Sequence, residues 1–212
     1  MEITYLGHSS FRFKAKEITL ITDPFDPEKT GLKYPAQKAD IVTISHNHPD
    51  HNYMKGIIGP VVRQETFVVD RPGEYEIGGV EVRMMSTHHD NKEGAERGSN
   101  LIAVMRIDDL FVAHLGDLGH VLSEKKIEDI GNVDVLLIPV GGVYTIDAKA
   151  AAEVVNQLEP SIVIPMHYGV LGMAGVEDFL KLMGIEVLTR EKKVKVTKDS
   201  LPENMQIIPM EV

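Results

Sequence analysis

A dense group of metal-binding residue types occurs in the stretch His46-Asn47-His48-Pro49-Asp50-His51. Imidazole nitrogens and carboxylate oxygens bind divalent transition metals, with metal–nitrogen distances of about 2.0 to 2.1 Å. Alternate residues of an extended chain point to the same side, so His46 and His48 can hold one cation, while Asp50 and His51 lie where the chain turns and can face a second. A polar loop whose imidazoles only meet water is the competing interpretation, but four such side chains within six residues favour metal binding.

Further candidate ligands follow apolar, β-branched runs elsewhere in the chain. They are His88-His89-Asp90 after Val82 to Thr87, Gly116-Asp117 and His120 after Phe111 to His114, and His167 after Ile162 to Pro165. Ligands placed at strand ends converge on one edge of a sheet, where rigid backbone fixes their geometry. A lone histidine in such a position is more often a surface or supporting residue, so it is the shared placement that indicates a common site.

Short strands are the elements that would position these side chains. The apolar runs that predict strands are Ile18 to Thr22, Asp40 to Ser45, Val80 to Met85, Leu101 to Ile107, Phe111 to His114, Val133 to Ile138 and Ile162 to Pro165. Several are apolar at consecutive positions, which is typical of strands covered on both faces.

Helical periodicity is clearest from Ala148 to Leu158, with Asp147 placed to cap the start. Helices are also predicted from Ser123 to Ile130, from Val176 to Met183, and briefly after Asp50. The charged stretch Asp90 to Asn100 is interpreted as a mobile loop. Since no Pro/Gly/Ser linker divides the sequence, we expect residues 1–212 to form a single domain.

Composition limits the kind of site and partner that the chain can offer. Its 212 residues include no cysteine, which excludes a disulfide scaffold and a cysteine zinc site, so any metal must be held by nitrogen and oxygen. Hydrophobic residues make up 43% and charged residues 25%, as in an ordinary globular protein. The formal net charge of -10 argues against nucleic acid as a partner. Because the sequence has neither a signal peptide nor a long apolar span, we expect a cytoplasmic protein without a membrane partner.

Taken together, the motifs resemble those of the metallo-β-lactamase superfamily, and the resemblance covers nearly the whole chain. The residues that resemble the family are His46-x-His48-x-Asp50-His51, a later strand-end histidine, Gly116-Asp117, a final His167, and Asp23 in Leu20-Ile-Thr-Asp-Pro. The branch that includes ascorbate-6-phosphate lactonase is the most similar, through Leu6-Gly-His-Ser-Ser-Phe, Gly116-Asp-Leu-Gly-His and Ile138-Pro-Val-Gly-Gly. The resemblance implies an α/β fold, a four-layer αββα sandwich in which two packed mixed sheets are flanked by helices.

A set of ligands is also implied by the resemblance. It places His46, His48 and His89 on a first metal, Asp50, His51 and His167 on a second, and Asp117 as a bridge between both. His89 is preferred over His88 because the family pattern has its ligand directly before an aspartate, here Asp90. His8, His114 and His120 are not ligands in that pattern. Asp50 and His120 are the catalytic candidates, although a purely structural role for His120 stays open.

Hydrolysis is the chemistry that such a site implies. Two divalent metal ions, with zinc as first choice and manganese or iron as alternatives, activate a hydroxide without a side-chain nucleophile. The expected substrate is a small ester-type molecule, a lactone or a phosphoester, and Arg97, Tyr144 and Tyr168 are candidates for contacting an anionic group. Two alternatives stay open: a non-catalytic metal-binding protein, and a phosphodiesterase or nuclease of the same superfamily. The sequence is compatible with a homo-oligomer as well as with a monomer.

Overall fold

The computed structural model describes residues 1–16, 18–60, 65–186 and 189–212, in which two large mixed β-sheets are built from short strands. The strands are β1 (Glu2–Gly7), β2 (Ser10–Lys14), β3 (Thr19–Thr22), β4 (Gln37–Lys38), β5 (Ile41–Thr43), β6 (Ile57–Ile58), β7 (Phe67–Val69), β8 (Gly73–Ile77), β9 (Val80–His88), β10 (Ser99–Ile107), β11 (Leu110–His114), β12 (Val135–Pro139), β13 (Ile162–Met166), β14 (Lys193–Lys195) and β15 (Gln206–Ile207). The α-helices are α1 (Pro27–Thr30), α2 (Glu124–Ile130), α3 (Ala148–Leu158) and α4 (Glu177–Leu182). Each predicted strand overlaps one of these strands.

The first sheet has the order β14-β1-β2-β3-β5-β7. Strands β1, β2 and β3 pair antiparallel, whereas β5 pairs parallel to both β3 and β7. The register pairs Leu20 with Ile41 and Thr22 with Thr43. The residues that follow β3 and β5 therefore leave the sheet side by side at one edge.

The second sheet has the order β15-β13-β12-β11-β10-β9-β8. Strands β8 to β11 form an antiparallel meander, and β11, β12, β13 and β15 are parallel neighbours. Since β9 and β11 are both antiparallel to β10, strands β9, β11, β12 and β13 all run in the same direction. Their carboxyl ends lie along one edge of the sheet. The predicted ligands that follow these strands can therefore converge on one site.

Strand β12 is apolar at consecutive positions because both of its faces are buried. Val135 and Leu137 belong to the buried cluster that β-strands of both sheets build between them, whereas Leu136 and Ile138 belong to the cluster that packs against the helices. All of these side chains are fully buried. Burial of each such side chain stabilises the fold by about 1.5 to 3 kcal/mol. The apolar interior therefore holds the sheets together without help from polar groups at the edge.

Helix α3 follows the predicted periodicity, because Ala151, Val155 and Leu158 are buried against the second sheet. Asp147 caps it by accepting a hydrogen bond from the Ala150 N–H. The helix predicted after Asp50 is wrong as an α-helix, since Met54–Gly56 forms only a 3-10 turn. Gly56 lies against the Tyr34 ring, which a larger residue would force to shift.

The predicted architecture of two packed mixed sheets flanked by helices is confirmed. Helices α2, α3 and α4 cover the outer face of the second sheet. The layer over the first sheet is thinner, because residues near the short β4 and β6 pair, such as Ala39 and Ile57, pack there against Ile21 and Val42. Among the described residues, no helix has both the length and the apolar character that crossing a bilayer requires.

Candidate metal centre

The ends of strands from both sheets bring the polar residues together at one edge. The residues placed there are Asp23 after β3, His46, His48, Asp50 and His51 after β5, His89 after β9, Asp117 after β11 and His167 after β13. All of them except His48 and Asp50 are buried. The group is therefore buried except at the loop after β5, where His48 and Asp50 form its solvent-exposed mouth.

One carboxylate oxygen lies at the middle of this group. Asp117 Oδ2 is 3.1 Å from His167 Nε2, 3.3 Å from His51 Nε2 and 3.3 Å from His89 Nε2, and its distance to His46 Nε2 is 4.0 Å. The side chains of these five residues are at most 4% exposed. Asp117 is thus in reach of histidines from several different strand ends, as a shared ligand must be.

Two groups of imidazoles surround Asp117. In the first, the His46 ring centroid lies 4.5 Å from that of His48 and 4.8 Å from that of His89. This trio is the set that the resemblance implies for the first metal, and its nitrogens lie close enough together to hold one ion. His89 is the member of the adjacent histidine pair that points inward.

The second group contains His51 and His167 together with a residue that the sequence did not assign to it. His8, from the turn between β1 and β2, offers a nitrogen close to those of His51 and His167. Asp50 Oδ2 lies 3.8 Å from His51 Nε2 and 3.3 Å from His8 Nε2. The implied second set of Asp50, His51 and His167 is therefore brought together, and His8 joins it.

Asp23 and Ser45 orient two of the imidazoles from behind. Asp23 accepts hydrogen bonds from the Ser45 N–H at 2.7 Å, from the Ser45 hydroxyl at 2.6 Å and from His51 Nδ1 at 2.9 Å. The Ser45 hydroxyl is 2.9 Å from His46 Nδ1 and, having donated to Asp23, accepts there. In both rings the δ nitrogen therefore carries a proton, and the ε nitrogen is directed to the centre. Sequence reasoning found Asp23 only through the family resemblance and missed Ser45.

Burial and charge set the protonation of the histidines. Burial, followed by the proximity of His51, lowers the pKa of His46 to about 3. Burial also lowers the pKa of His8 to about 4. For His51, burial acts in the lowering direction, but Asp117 and Asp23 raise its pKa well above the ordinary value. His46 and His8 are therefore neutral near pH 7, whereas His51 retains a proton that an arriving cation must displace.

Several buried polar atoms at this edge have no hydrogen-bond partner among the described residues. They include His46 Nε2, His51 Nε2 and Asp117 Oδ1. Such atoms are costly unless something bonds to them. Donors on a common tetrahedral ion lie about 3.4 Å apart, and Asp117 Oδ2 is 3.1 to 3.3 Å from three of the ε nitrogens. Nitrogen and oxygen donors of this kind suit zinc, manganese or iron, so the residues fit a divalent transition metal.

The other histidines have different surroundings. His120 Nδ1 is 2.9 Å from the Val121 carbonyl, and the His120 ring faces that of His88 with centroids 5.8 Å apart. Within the described part of the chain, neither belongs to a group that could hold a metal. A catalytic role for His120 stays a prediction. His114 has both ring nitrogens engaged, with the Ser9 carbonyl and the Gly116 N–H.

The loop after His89 is more ordered than the sequence indicates. The Asp90 carboxylate accepts hydrogen bonds from four backbone N–H groups, those of Lys92, Gly94, Glu96 and Arg97. The interpretation of this stretch as a mobile loop therefore missed the role of Asp90, whose short side chain folds the loop around itself.

Arg97 connects this loop to the turn after β12. Its guanidinium donates to the Val143 carbonyl at 3.2 Å and lies 5.8 Å from the Tyr144 ring centroid. Gly141, in the same turn, packs directly on the His167 carbonyl. Arg97 and Tyr144 thus stand on two loops that adjoin His89 and His167. Tyr168 instead donates its hydroxyl to the Met210 carbonyl.

Several known proteins and the sequence model of a family match most of this chain. The sequence model of the family described as "Beta-lactamase superfamily domain" matches residues 2–167. A UPF0173 protein of Pyrococcus abyssi is 29% identical, covering 91% of this chain and 97% of that protein. A UPF0173 metal-dependent hydrolase of Thermoplasma acidophilum is 29% identical, covering 87% of this chain and 91% of that protein. A crystal structure from Thermotoga maritima, assigned to the Zn-dependent hydrolases of the metallo-β-lactamase superfamily, is 35% identical with a TM-score of 0.77, covering 99% of this chain and 97% of that one.

Proposed function

This chain belongs to the metallo-β-lactamase superfamily and is a metal-dependent hydrolase, and we propose that it hydrolyses a small lactone or phosphoester at a site for two divalent cations. Zinc is the first choice of metal, with manganese and iron as alternatives. The proposal includes a single domain over residues 1–212, a cytoplasmic location and a small, anionic substrate as partner.

The position of Asp117 is the observation that supports two cations. Its Oδ2 atom faces His46 and His89 from one imidazole group and His51 and His167 from the other, at 3.1 to 4.0 Å. His46, His48 and His89 would hold the first cation, Asp50, His51 and His167 the second, and Asp117 would touch both. When bound, such a pair lowers the pKa of a water molecule and polarises the substrate oxygen.

Asp50 is the residue of this chain that can handle a proton at the mouth of the site. Its side chain is 25% exposed, whereas Asp117 is 3% exposed, so water and substrate reach Asp50. Burial alone would raise the pKa of Asp50, but the contact with His8, 3.3 Å away, and the charge of His51 lower it below the ordinary range. Asp50 is therefore a carboxylate at neutral pH and can accept a hydrogen bond from the attacking water.

Exposure of the mouth favours catalysis over a purely structural metal site. A structural zinc site is usually closed by four protein ligands. Here the first imidazole group includes the exposed His48, and the second borders Asp50, so both sides of the site are open to solvent. Arg97 and Tyr144, on the loops beside His89 and His167, would bind an anionic part of the substrate. This arrangement and the resemblance to the ascorbate-6-phosphate lactonase branch support a phosphorylated lactone as the first substrate to test.

The test combines metal analysis with a substrate panel. We expect zinc-loaded protein to bind two ions per chain and to hydrolyse lactones or phosphomonoesters faster than phosphodiesters or RNA. Asp50→Asn should lower kcat/KM by about 100-fold or more, as the loss of a proton acceptor does. Asp26→Asn is the matched control, because Asp26 is a half-buried carboxylate that only caps α1.

Three results would overturn the proposal. Activity that survives a strong chelator would exclude metal-dependent hydrolysis at this site. If the protein binds two zinc ions but turns over no substrate, the alternative of a non-catalytic metal-binding protein would be favoured. Fastest cleavage of RNA or phosphodiesters would favour the nuclease alternative.

A further inference from the structure

His8 is held rigidly at the candidate metal centre although it lies far from the other histidines in sequence. It occupies the turn between β1 and β2, and 1% of it is exposed. Its carbonyl accepts hydrogen bonds from the Tyr5 hydroxyl and from the His167 N–H, both at 2.9 Å. The backbone of His8 is therefore tied directly to that of His167.

The ring of His8 lies inside the second imidazole group. Its centroid is 4.3 Å from that of His167 and 4.9 Å from that of His51. One ligand nitrogen from each of the three lies within 4.8 Å of the other two. Small side-chain adjustments would bring these nitrogens to the separation of donors on a common ion.

His8 also shares its conformation and environment with His167, one of the implied ligands. Both residues have a φ of 54°, in the left-handed region that side chains other than glycine rarely adopt. Each presents Nε2 to a carboxylate, His8 to Asp50 at 3.3 Å and His167 to Asp117 at 3.1 Å. In both, Nδ1 is buried without a hydrogen-bond partner among the described residues. Strained backbone of this kind persists where the surrounding structure enforces it, often at functional sites.

We propose that His8 is an additional ligand of the second cation, which would then lie among the imidazoles of His8, His51 and His167 beside the carboxylates of Asp50 and Asp117. This inference rests on the two-cation site proposed above. A position with three imidazoles selects transition metals such as zinc over magnesium or calcium, which prefer oxygen ligands. The first position keeps His46, His48 and His89.

A hydrogen bond offers the competing role for His8. At 3.3 Å, His8 Nε2 is also within reach to donate to Asp50 Oδ2 and thereby position that carboxylate. Glutamine separates the two roles, because its side-chain amide can donate to Asp50 but its nitrogen does not bind transition metals. His8→Gln should therefore resemble the wild type if His8 only positions Asp50, and should resemble His8→Ala if His8 is a ligand.

The experiment measures metal binding, independently of activity. Full-length wild type, His8→Ala, His8→Gln and His88→Ala are stripped of metal and titrated with Co²⁺ and Zn²⁺ in competition with a chromophoric chelator. His88 is the matched control, since it is a histidine next to the ligand His89 that belongs to no metal-binding group in the described chain. We expect both His8 variants to bind the first ion normally and the second at least about tenfold more weakly. The Co²⁺ absorption of the second site should change as well, while His88→Ala matches the wild type.

The outcomes distinguish this inference from the proposal on which it rests. Wild-type protein that binds only one ion would overturn the two-cation site itself. Two ions in the wild type, with unchanged second-ion affinity and spectrum in His8→Gln, would overturn the ligand role alone. Normal binding of the first ion reports that a variant has folded. Should a variant not fold, paramagnetically shifted NMR signals of Co²⁺-loaded wild type decide the question, since the His8 ring must be among the shifted imidazoles if it is a ligand.

Discussion

Replacing Asp117 with asparagine removes the carboxylate that both imidazole groups share while keeping its shape. Asp117 Oδ2 lies 3.1 Å from His167 Nε2 and 3.3 Å from each of His51 Nε2 and His89 Nε2. Loss of a partner that only orients a ligand weakens metal binding by about 10- to 100-fold. Because Asp117 would face both proposed cation positions, we expect at least this loss for each cation, about 1.4 to 2.8 kcal/mol apiece. The rate should fall by about 100-fold or more.

The metal-stripped Asp117→Asn protein should still fold. Burial acts to lower the pKa of His51, and the charges of Asp117 and Asp23 raise it above the ordinary value. A raised pKa stabilises the fold below the unfolded value of about 6.5, and this contribution is lost as pH rises through the folded pKa. The variant gives up part of this contribution, so it should be destabilised more at pH 6 than at pH 8. At pH 8 we expect the free energy of unfolding to fall by about 1 to 2 kcal/mol, which lowers Tm by roughly 2 to 8 °C.

Chelator competition, elemental analysis and thermal melts measure these effects. Asp134→Asn is the control, because Asp134 is a buried carboxylate that pairs with Lys198 and precedes β12, away from the edge where the histidines meet. It should alter Tm without altering metal affinity. Two tightly bound ions and full activity in Asp117→Asn would refute the placement of Asp117 between two cations.

Further measurements test the surroundings of the site. Calorimetry in buffers of different ionisation enthalpy should show at least about one proton released on metal binding at pH 7, because the raised pKa of His51 leaves a proton on a ring that must bind as the neutral form. Binding without proton release would contradict this protonation. Asp23→Asn, which weakens the hydrogen bond to His51 Nδ1, should lower the affinity of the second cation by about 10- to 100-fold in chelator competition, and unchanged affinity would show that Asp23 does not orient a ligand. Asp90→Ala removes the acceptor of four backbone N–H groups, so hydrogen exchange over residues 91–98 should accelerate; equal exchange rates would contradict the ordering role of Asp90. Chelation should abolish hydrolysis while the far-UV circular dichroism persists, because the apolar cluster between the sheets holds them together; collapse of the spectrum would show that the metals also stabilise the fold.

Local pattern predicted the central strands and helix α3 because each depends on neighbouring residues. The run that forms β12 and the spacing of apolar residues in α3 are visible within a few residues of sequence. Strands β1, β2, β8 and β14 were not predicted, because they alternate polar and apolar residues over short lengths or lie at sheet edges. Their pairing is decided by the partner strand as much as by their own residues.

The sequence by itself determined that four side chains of metal-binding types lie close together. His46, His48, Asp50 and His51 share one short loop, and its backbone limits how far apart they can lie. Only the tertiary structure decided which distant residues join them. His8 comes from the first hairpin, Asp23 from β3 and His167 from β13, and His120 lies instead beside His88. These placements depend on strand pairing, on register and on the packing of one sheet against the other. That packing is stabilised by many apolar contacts remote from the site. The spacing of the site residues along the sequence therefore does not predict it.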